Sequence, residues 1–336
     1  MKLKNLIKVL ILSIILISCS SDNDNDDTPP PPPPNASSFA SVNELKESLK
    51  PDAYVVTDVD PTQSFTINGP DGVQINCQEN KILDSNGNVV TSPVDIALTE
   101  YLTPDKMILG NAQTTSNGQL LVTGGSFELD ITDSSGNSLN IAPYGCDCNF
   151  DIQTDPGNWG PAMIPYRGTR ITTNGDDTVD WAVANTEGGV GAGLFISWGI
   201  DTGLSNCDVL YNMTTGGGTQ FEVTLSSGGP SGDTVAVLDG LSVSEINSST
   251  MVWMFIEDFP SVVGLTTITS TPTLATYQGS IPMGLNATLI GVFIDEDSYL
   301  RFGSTSITVA GDDLFNIDVD YGTEAALQAL VESLVN

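Results

Sequence analysis

The sequence contains no histidine, and this absence excludes several kinds of catalytic and metal site. Without an imidazole the chain cannot form a Ser-His-Asp or Cys-His couple, a His-bearing zinc or haem site, or a neutral base that titrates near pH 7. Catalysis by two carboxylates, as in glycoside hydrolysis, is still compatible with the composition. We therefore predict a protein that is not an enzyme, with a carboxylate-based glycan hydrolase as the enzymatic alternative.

Basic residues are also scarce, with 10 Lys and Arg against 42 Asp and Glu and a formal net charge of −32. A surface of this sign repels the phosphates of nucleic acids, so we exclude nucleic-acid binding. The same charge is compatible with calcium, although no complete calcium motif occurs in the sequence. We accordingly predict no cofactor.

No apolar run is long enough to span a membrane. The run from Val9 to Ile17 has nine residues and, as a helix, reaches about half of a ~30 Å hydrocarbon core. Lys2, Lys4 and Lys8 precede this run, and the small residue Ser18 follows it. This order is that of an export signal, so we predict a signal peptide over residues 1–18. The alternative is an ordinary secretory peptide that happens to end beside a cysteine.

The segment Leu16-Ile17-Ser18-Cys19 resembles the lipobox of bacterial lipoproteins. The resemblance implies that a diglyceride is attached to Cys19 and that, after cleavage, its amine is acylated with a chain such as palmitate. Several acyl chains, at about 0.8 kcal/mol per buried methylene, anchor a protein without an apolar helix. Ser20 favours the outer membrane, and the acidic run up to Asp27 resembles the surface-export signal of Bacteroidetes lipoproteins. We expect a lipid-anchored protein of the outer membrane that faces the cell surface.

Residues 19–50 are predicted to form an acidic, proline-rich tether and one short helix. Six consecutive prolines, Pro29 to Pro34, form polyproline II at about 3.1 Å per residue, which gives a stiff stalk of roughly 19 Å. Ser41-Val42-Asn43-Glu44 has the form of a capping box, and Pro51 ends the helix that it begins.

Four cysteines follow Cys19, namely Cys77, Cys146, Cys148 and Cys207. An even number in an exported protein predicts disulfides. A bridge between Cys146 and Cys148 would close a very tight loop, so we expect each of them to reach a distant partner, either Cys77 or Cys207. The C-x-C spacing of the one close pair argues against a structural zinc site.

Residues 51–142 show the period-two alternation of an antiparallel β-sandwich, with one face of each strand in a core and the other in water. The clearest runs are Val94, Ile96 and Leu98, and Phe127, Leu129 and Ile131. Short turns separate these runs, among them Gly69 to Gly72, Asp84 to Gly87 and Asp133 to Gly136.

The stretch Asp84-Ser85-Asn86-Gly87-Asn88 has the D-x-N-x-N spacing that opens calcium loops, with Asp95 at the twelfth position. An EF-hand needs glycine at the sixth position and a helix on each side. In this stretch the sixth residue is Val89, and strand-like sequence follows. We therefore predict a hairpin turn at this place.

Several segments of this part look like the ZU-type β-sandwich of netrin receptors and ankyrins in its bacterial form. They are Ile82 to Thr91, Val94 to Tyr101, Met107-Ile108, Asn111 to Thr115, Gly118 to Leu121 and Gly124 to Leu129. Similar modules occur in Bacteroidetes lipoproteins, which continue with sequences like Asn206-Cys207-Asp208 and Ile281-Pro282-Met283-Gly284. The resemblance implies a scaffold or interaction role and carries over no catalytic residues.

Residues 143–336 are predicted to form a second β-rich module. Met251 to Ile256 and Leu289 to Ile294 are nearly continuous apolar runs, which predicts deeply buried strands, and Thr323 caps a final helix with an apolar stripe. Two carboxylate-rich places are candidates for a ligand. One combines Trp181 with the acids Asp176, Asp177 and Asp180 as a sugar-facing patch. The other is a calcium rim made of the acids near residues 295–297, 312–313 and 318–320, for which solvated loops are the alternative.

The sequence thus predicts a mainly β protein of two antiparallel sandwich-like modules with short N- and C-terminal helices. The predicted function is that of a non-enzymatic, lipid-anchored cell-surface protein, a binding or scaffold module whose partner is a protein or a glycan. The alternative is an accessory subunit of an outer-membrane β-barrel complex.

Overall fold

The computed structural model describes residues 35–151, 163–173, 176–184, 195–200, 202–210, 218–228, 234–267, 273–311 and 313–335. Cys19, the acidic run and the prolines, on which the anchor and stalk predictions depend, lie outside the described residues.

The protein is mainly β, as the sequence predicts. The strands of the first part are β1 (Tyr54–Val59), β2 (Phe65–Asn68), β3 (Gln74–Cys77), β4 (Ile82–Leu83), β5 (Val94–Tyr101), β6 (Thr115–Ser116), β7 (Gln119–Asp133), β8 (Asn140–Ile141), β9 (Cys146–Asp151), β10 (Ile164–Thr173), β11 (Asp176–Val183), β12 (Phe195–Ile200) and β13 (Gly203–Leu210). Those of the second part are β14 (Gly218–Thr219), β15 (Glu222–Gly228), β16 (Thr234–Ala236), β17 (Thr250–Ile256), β18 (Val262–Gly264), β19 (Thr266–Thr267), β20 (Leu274–Ala275), β21 (Ile281–Pro282), β22 (Asn286–Ile294), β23 (Leu300–Thr308), β24 (Leu314–Asp318) and β25 (Asp320–Tyr321).

The described helices are α1 (Val42–Leu49), α2 (Pro104–Leu109), α3 (Val243–Ser249) and α4 (Glu324–Glu332), the last continued by a 3-10 turn over Ser333–Val335. The cap predicted at Ser41 is confirmed, because the N–H of Glu44 donates to the Ser41 hydroxyl at 3.3 Å. In the other half of the predicted capping box the Glu44 carboxylate accepts the N–H of Ala40 in place of that of Ser41. Helices α2 and α3 were not predicted. Each carries a sequence signal, a proline at the first position of α2 and a capping box formed by Ser242 and Glu245 at α3.

The first sandwich consists of a large and a small sheet. The large sheet has the order β1-β5-β7-β13-β10-β11, with β6 added to β7, and the small sheet has the order β12-β9-β3-β2. Their facing side chains form the first core, in which Val94, Ile96 and Leu98 of β5 are all buried, as predicted from their alternation. The hairpin of β2 and β3 around the Gly69–Gly72 turn also agrees with the prediction.

A β-bulge in β7 changes which side chains face this core. Val122 and Phe127 both lie in the first core although they are five positions apart, an odd spacing that regular alternation forbids. The pairing of β7 with β13 shifts register between Asn206 and Asp208, and Gly125 has a φ of 131°. The extra residue of the bulge thus exchanges the two faces of the strand.

The second sandwich consists of two five-stranded sheets. One has the order β16-β15-β20-β19 with β24 parallel to β15, and the other has the order β18-β17-β22-β23-β25. Side chains between them form the second core, which includes Val223, Leu225, Met254 and Leu289. The prediction of deeply buried strands is confirmed for β17 and β22, in which all but one residue each are buried.

The sheets do not divide at the predicted boundary between residues 142 and 143. Strands β10, β11 and β13 extend the sheet that β1, β5 and β7 begin, and β9 and β12 complete the opposing sheet. A disulfide between Cys77 and Cys146 joins chain segments on the two sides of that boundary. The first sandwich therefore extends to Leu210, because residues 143–210 supply the strands that its first half lacks.

A third cluster of buried residues, which we call the junction core, lies between the two sandwiches. It combines the second face of the large sheet, including Tyr101, Tyr166 and Trp181, with the second face of β17 and β22. Helices α1, α2 and α4 contribute side chains to the same cluster, so one face of each helix is buried there. The expectation that the second face of the strands is in water is therefore wrong for these strands.

Replacing Leu45 of α1 tests the contribution of the junction core. Leu45 is fully buried there, so Leu45→Ala should lower the free energy of unfolding by about 2–5 kcal/mol. The control is Glu47→Ala on the exposed face of the same helix, which should change it by less than about 0.5 kcal/mol. Urea unfolding followed by circular dichroism measures both, and equal effects would contradict the assignment.

Candidate functional site

The cysteines are placed as follows. Cys77 on β3 and Cys146 on β9 form a disulfide, one of the pairings that the sequence left open. Cys148 is buried in the first core, where it lies between Ile75 of β3 and Trp198 of β12 in the sheet. Cys207 lies on β13, opposite Pro165 of β10. The disulfide spans 69 residues of sequence and links β3 and β9, the two central strands of the small sheet, at a pair of directly opposite residues.

The D-x-N-x-N stretch is a hairpin turn, as predicted. One oxygen of the Asp84 carboxylate accepts the N–H groups of Asn86 and Asn88 at 2.8 Å, and the other accepts the Asn88 side-chain amide at 3.0 Å. The hydrogen bonds from Asn88 lower the pKa of Asp84 below its usual range. The carboxylate thus stabilises the turn by taking donors from its own loop.

Asp133 and Asp295 make the same turn elsewhere. In each, the aspartate carboxylate accepts the N–H groups two and four residues later, and its carbonyl accepts the N–H three residues later. The third residue after each aspartate has positive φ, namely Gly87, Gly136 and Ser298. Among the described residues, no group of three or more acidic or cysteine side chains is arranged to hold a metal ion.

Two acids of the predicted calcium rim lie at opposite ends of β24. Asp313 precedes β24 and Asp318 ends it, so about 17 Å of strand separates them. Asp318 accepts hydrogen bonds from Ser226 and Asn316, and Asp295 forms an ion pair with Arg301 at 3.1 Å. Asp312 lies outside the described residues. The acids near residues 295–320 therefore do not form one site.

The predicted sugar-facing patch around Trp181 is part of the interior. Trp181 is fully buried in the junction core and its indole N–H donates to the carbonyl of Gln113. Asp180 accepts the N–H of Asn117 at 3.0 Å. The side chains of Asp176 and Asp177 lie outside the described residues. An aromatic ring without an exposed face cannot stack on a sugar, so Trp181 serves the fold.

Glu128 is the centre of an ionic cluster at the edge of the junction core. Its Oε2 atom accepts the Tyr101 hydroxyl at 3.0 Å and lies 2.9 Å from Lys50 Nζ and 3.1 Å from Arg170 Nη2. Burial alone would raise the pKa of Glu128, but the hydrogen bonds and charges of Arg170 and Lys50 outweigh it and lower the pKa to about 2. Because Lys50 follows α1, this cluster fastens the N-terminal helix to the first sandwich.

Two further carboxyls are buried in the first sandwich. Glu100 accepts the N–H groups of Asp71 and Val73 in the β2–β3 turn at 2.8 and 2.7 Å. Asp208 lies at the β7 bulge and is bonded to the Thr123 side chain and the N–H of Gly124. Burial raises the pKa of both carboxyls. Their partners are backbone and neighbouring side chains, so each holds a turn or bulge in place.

The chain that follows the proline-rich segment enters the second sandwich as an extra strand segment. The N–H of Ser37 donates to Gly322, the Ser37 carbonyl accepts from Leu300, and the N–H of Phe39 donates to Ser298. Arg301 supports this place by pairing with Asp295 while its guanidinium lies 3.9 Å from the centre of the Tyr321 ring. The tether is thus joined to the body at the first residue of β23.

A groove of about 660 Å³ lies at the opposite end of the second sandwich. Residues 218–222, 278–279 and 313–314 line it. Strands β22 and β23 run from the Ile294–Leu300 pair beside the tether to the Asn286–Thr308 pair, a distance of roughly 26 Å. At this far end, β21 precedes β22 in the chain and residues 313–314 follow β23. Both segments border the groove.

The groove has a polar wall over an apolar floor. Phe221 is buried beneath it with its ring edge-to-face against Phe315 at 5.3 Å. Gln220 Nε2 donates to the Thr276 carbonyl at 2.9 Å, and Glu222 accepts the Thr273 hydroxyl at 2.9 Å. Leu314 is 62% exposed at the rim. Sequence reasoning missed this site because three distant segments form it, and only Asp313 belonged to a predicted site.

No family model matches this sequence, and no curated protein matches it significantly. The described residues include no helix that is both long and apolar enough to cross a membrane.

The three aspartate turns allow a matched test of backbone strain. Ser298 has φ of 68° where the other two turns have glycine, and a non-glycine residue in this region is strained by about 1 kcal/mol. Ser298→Gly should therefore raise the free energy of unfolding by roughly 0.5–1 kcal/mol, whereas Gly87→Ser should lower it by a similar amount. Urea unfolding curves measure both changes. A loss of stability in Ser298→Gly would show that the serine side chain outweighs the strain.

Glu128 provides a pH-dependent test of the ionic cluster. Because its pKa is lower in the folded protein than in the unfolded chain, the ionised carboxylate contributes stability above about pH 4.5 that is lost as the pH falls towards 2, up to about 3 kcal/mol. Glu128→Gln should therefore destabilise the protein at pH 7 and progressively less as the pH falls from about 4.5 to about 2.5. Glu79→Gln, at an exposed position, is the control. A deficit for Glu128→Gln that is independent of pH would contradict this role.

Proposed function

We propose that this protein is a lipid-anchored protein of the outer membrane that faces the cell surface and acts, without catalysis of its own, as a binding or scaffold module. The observation that carries the proposal is the segment Leu16-Ile17-Ser18-Cys19 after a basic and apolar start. This order of residues is that of an export signal ending at an acylated cysteine.

The way the tether joins the body supports this proposal. Only two residues separate Pro34 from Ser37, the first residue hydrogen-bonded into the second sandwich. A stiff stalk that ends in a fixed strand segment holds the body in a limited range of orientations. The groove lies roughly 26 Å further along β23, at the end away from the stalk.

The disulfide also supports the proposal. Disulfides form and persist in oxidising compartments outside the cytoplasm. The Cys77–Cys146 bridge is buried in the first core, where both cysteines are less than 5% exposed. Such a bridge suits a chain that is exported before it folds.

A second candidate is an accessory subunit of an outer-membrane complex, which would carry the same anchor. Strand β1 is at the edge of the large sheet, and its Tyr54 and Val55 are 42% and 56% exposed. An edge strand with exposed apolar side chains can pair with a partner chain. A membrane protein that co-purifies with a tagged copy from detergent-solubilised outer membrane would favour this candidate over a freely acting module.

Substitution of Cys19 tests the anchor. Cys19→Ala should abolish labelling by a palmitate analogue and move the protein out of the membrane fraction, because the thiol is the site of lipid attachment. Ser20→Ala is the control and should keep both the palmitate label and the membrane association. Retention of the label by Cys19→Ala would refute lipidation at this residue.

Protease treatment of intact cells tests the surface location separately. The wild-type protein should be digested while a periplasmic control protein is protected. Digestion only after the outer membrane is broken would contradict surface exposure. It would not contradict the lipid anchor, which is tested separately.

A further inference from the structure

We propose that the groove lined by residues 218–222, 278–279 and 313–314 binds a neutral oligosaccharide. This inference rests on the binding role proposed above and names its ligand class, but it is independent of the lipid anchor. The volume of about 660 Å³ is within the range of small-molecule sites, about 300–1,000 Å³.

The side chains of the groove match the chemistry of hydroxyl groups. Gln220 and Gln278 have amides that donate and accept hydrogen bonds, and Glu222 and Asp313 have carboxylates that accept them. A sugar hydroxyl both donates and accepts, so it can be shared between an amide and a carboxylate. Phosphate or sulfate groups only accept and are repelled by the two carboxylates and by the net charge of −32. The ligand is therefore hydroxyl-rich and carries no negative charge.

Two of these groups are held in position before any ligand arrives. The Gln220 amide donates to the Thr276 carbonyl at 2.9 Å, and the Glu222 carboxylate accepts the Thr273 hydroxyl at 2.9 Å. Glu222 begins β15, which pairs with β24 on one side and β20 on the other. Side chains fixed in this way lose little conformational entropy on binding.

The rim of the groove adds an apolar surface. Leu314 is 62% exposed at the start of β24, next to the exposed Asp313. A pyranose ring has C–H groups on its faces, so it can contact Leu314 while its hydroxyls bond to the polar wall. An exposed leucine beside a carboxylate gives no comparable advantage to a small, strongly hydrated cation.

A cationic peptide is the competing ligand because the two carboxylates also attract ammonium and guanidinium groups. It differs from a sugar in its response to salt, since screening weakens ionic attraction and hardly affects bonds to a neutral ligand. The amides of Gln220 and Gln278 favour the sugar, because their N–H groups can donate to a hydroxyl oxygen and find no acceptor on an ammonium or guanidinium group.

The test uses the full chain purified in detergent. It is screened against immobilised α-glucan, β-glucan, mannan, xylan and galactan, and oligosaccharides of the best binder are then titrated by calorimetry. We expect saturable binding whose Kd changes less than about twofold between about 50 and 500 mM NaCl. Gln278→Ala and Asp313→Ala should each weaken it by about tenfold, the effect of one lost hydrogen bond. Gln63→Ala and Asp52→Ala, at exposed positions in the first part of the chain, are the matched controls and should not weaken it.

Three results would overturn the proposal. They are binding to none of the polysaccharides, binding that both groove variants retain in full, and preferential binding of oligolysine that disappears at high salt. The last result would assign the groove to a cationic peptide. None of them affects the labelling of Cys19, so failure of this inference and failure of the anchor are distinguishable.

Discussion

The junction core is the constraint on which the arrangement of the molecule depends. Leu120, Leu121 and Val122 are consecutive in β7, yet they are buried in the second core, the junction core and the first core respectively. Such a segment cannot keep its burial if the two sandwiches move apart. Hydrogen bonds reinforce it, because Ser261 of the second sandwich donates to the Leu121 carbonyl and the N–H of Thr123 donates to Pro260. Separating the sandwiches would expose these polar groups together with the apolar surface.

The same core also holds the segment that follows the proline run. Phe39, Val42 and Leu45 follow directly after the hydrogen-bonded segment and are buried in the junction core. Lys50 then reaches Glu128 in the first sandwich at 2.9 Å. The N-terminal segment is therefore fastened to both sandwiches within about fifteen residues of the proline run. This segment, from residue 35 onward, is thus held against the body as a whole and not against one sandwich alone.

Local features of the fold could be predicted from the sequence, and long-range pairing could not. The alternation of Val94, Ile96 and Leu98 and the cap at Ser41 are each contained in a few residues, and the structure has both. The boundary at residue 142 was wrong because β7 pairs with β13, some eighty residues later, which no local pattern records. The groove was missed for the same reason. The bulge at Gly125 breaks the alternation of β7, so the pattern of Phe127, Leu129 and Ile131 does not predict which core Leu121 and Val122 enter.

Part of the excess of acidic residues has a structural explanation, because some aspartates stabilise turns. Asp84, Asp133 and Asp295 each accept two backbone N–H groups of their own turn, a task for which a short carboxylate is well suited and lysine or arginine is not. A β protein with many tight turns therefore accumulates aspartate without any need for a cation. At the rim of the groove, the hydrogen bond described within the loop of Asp313 is the one that its backbone N–H donates to the Gly311 carbonyl.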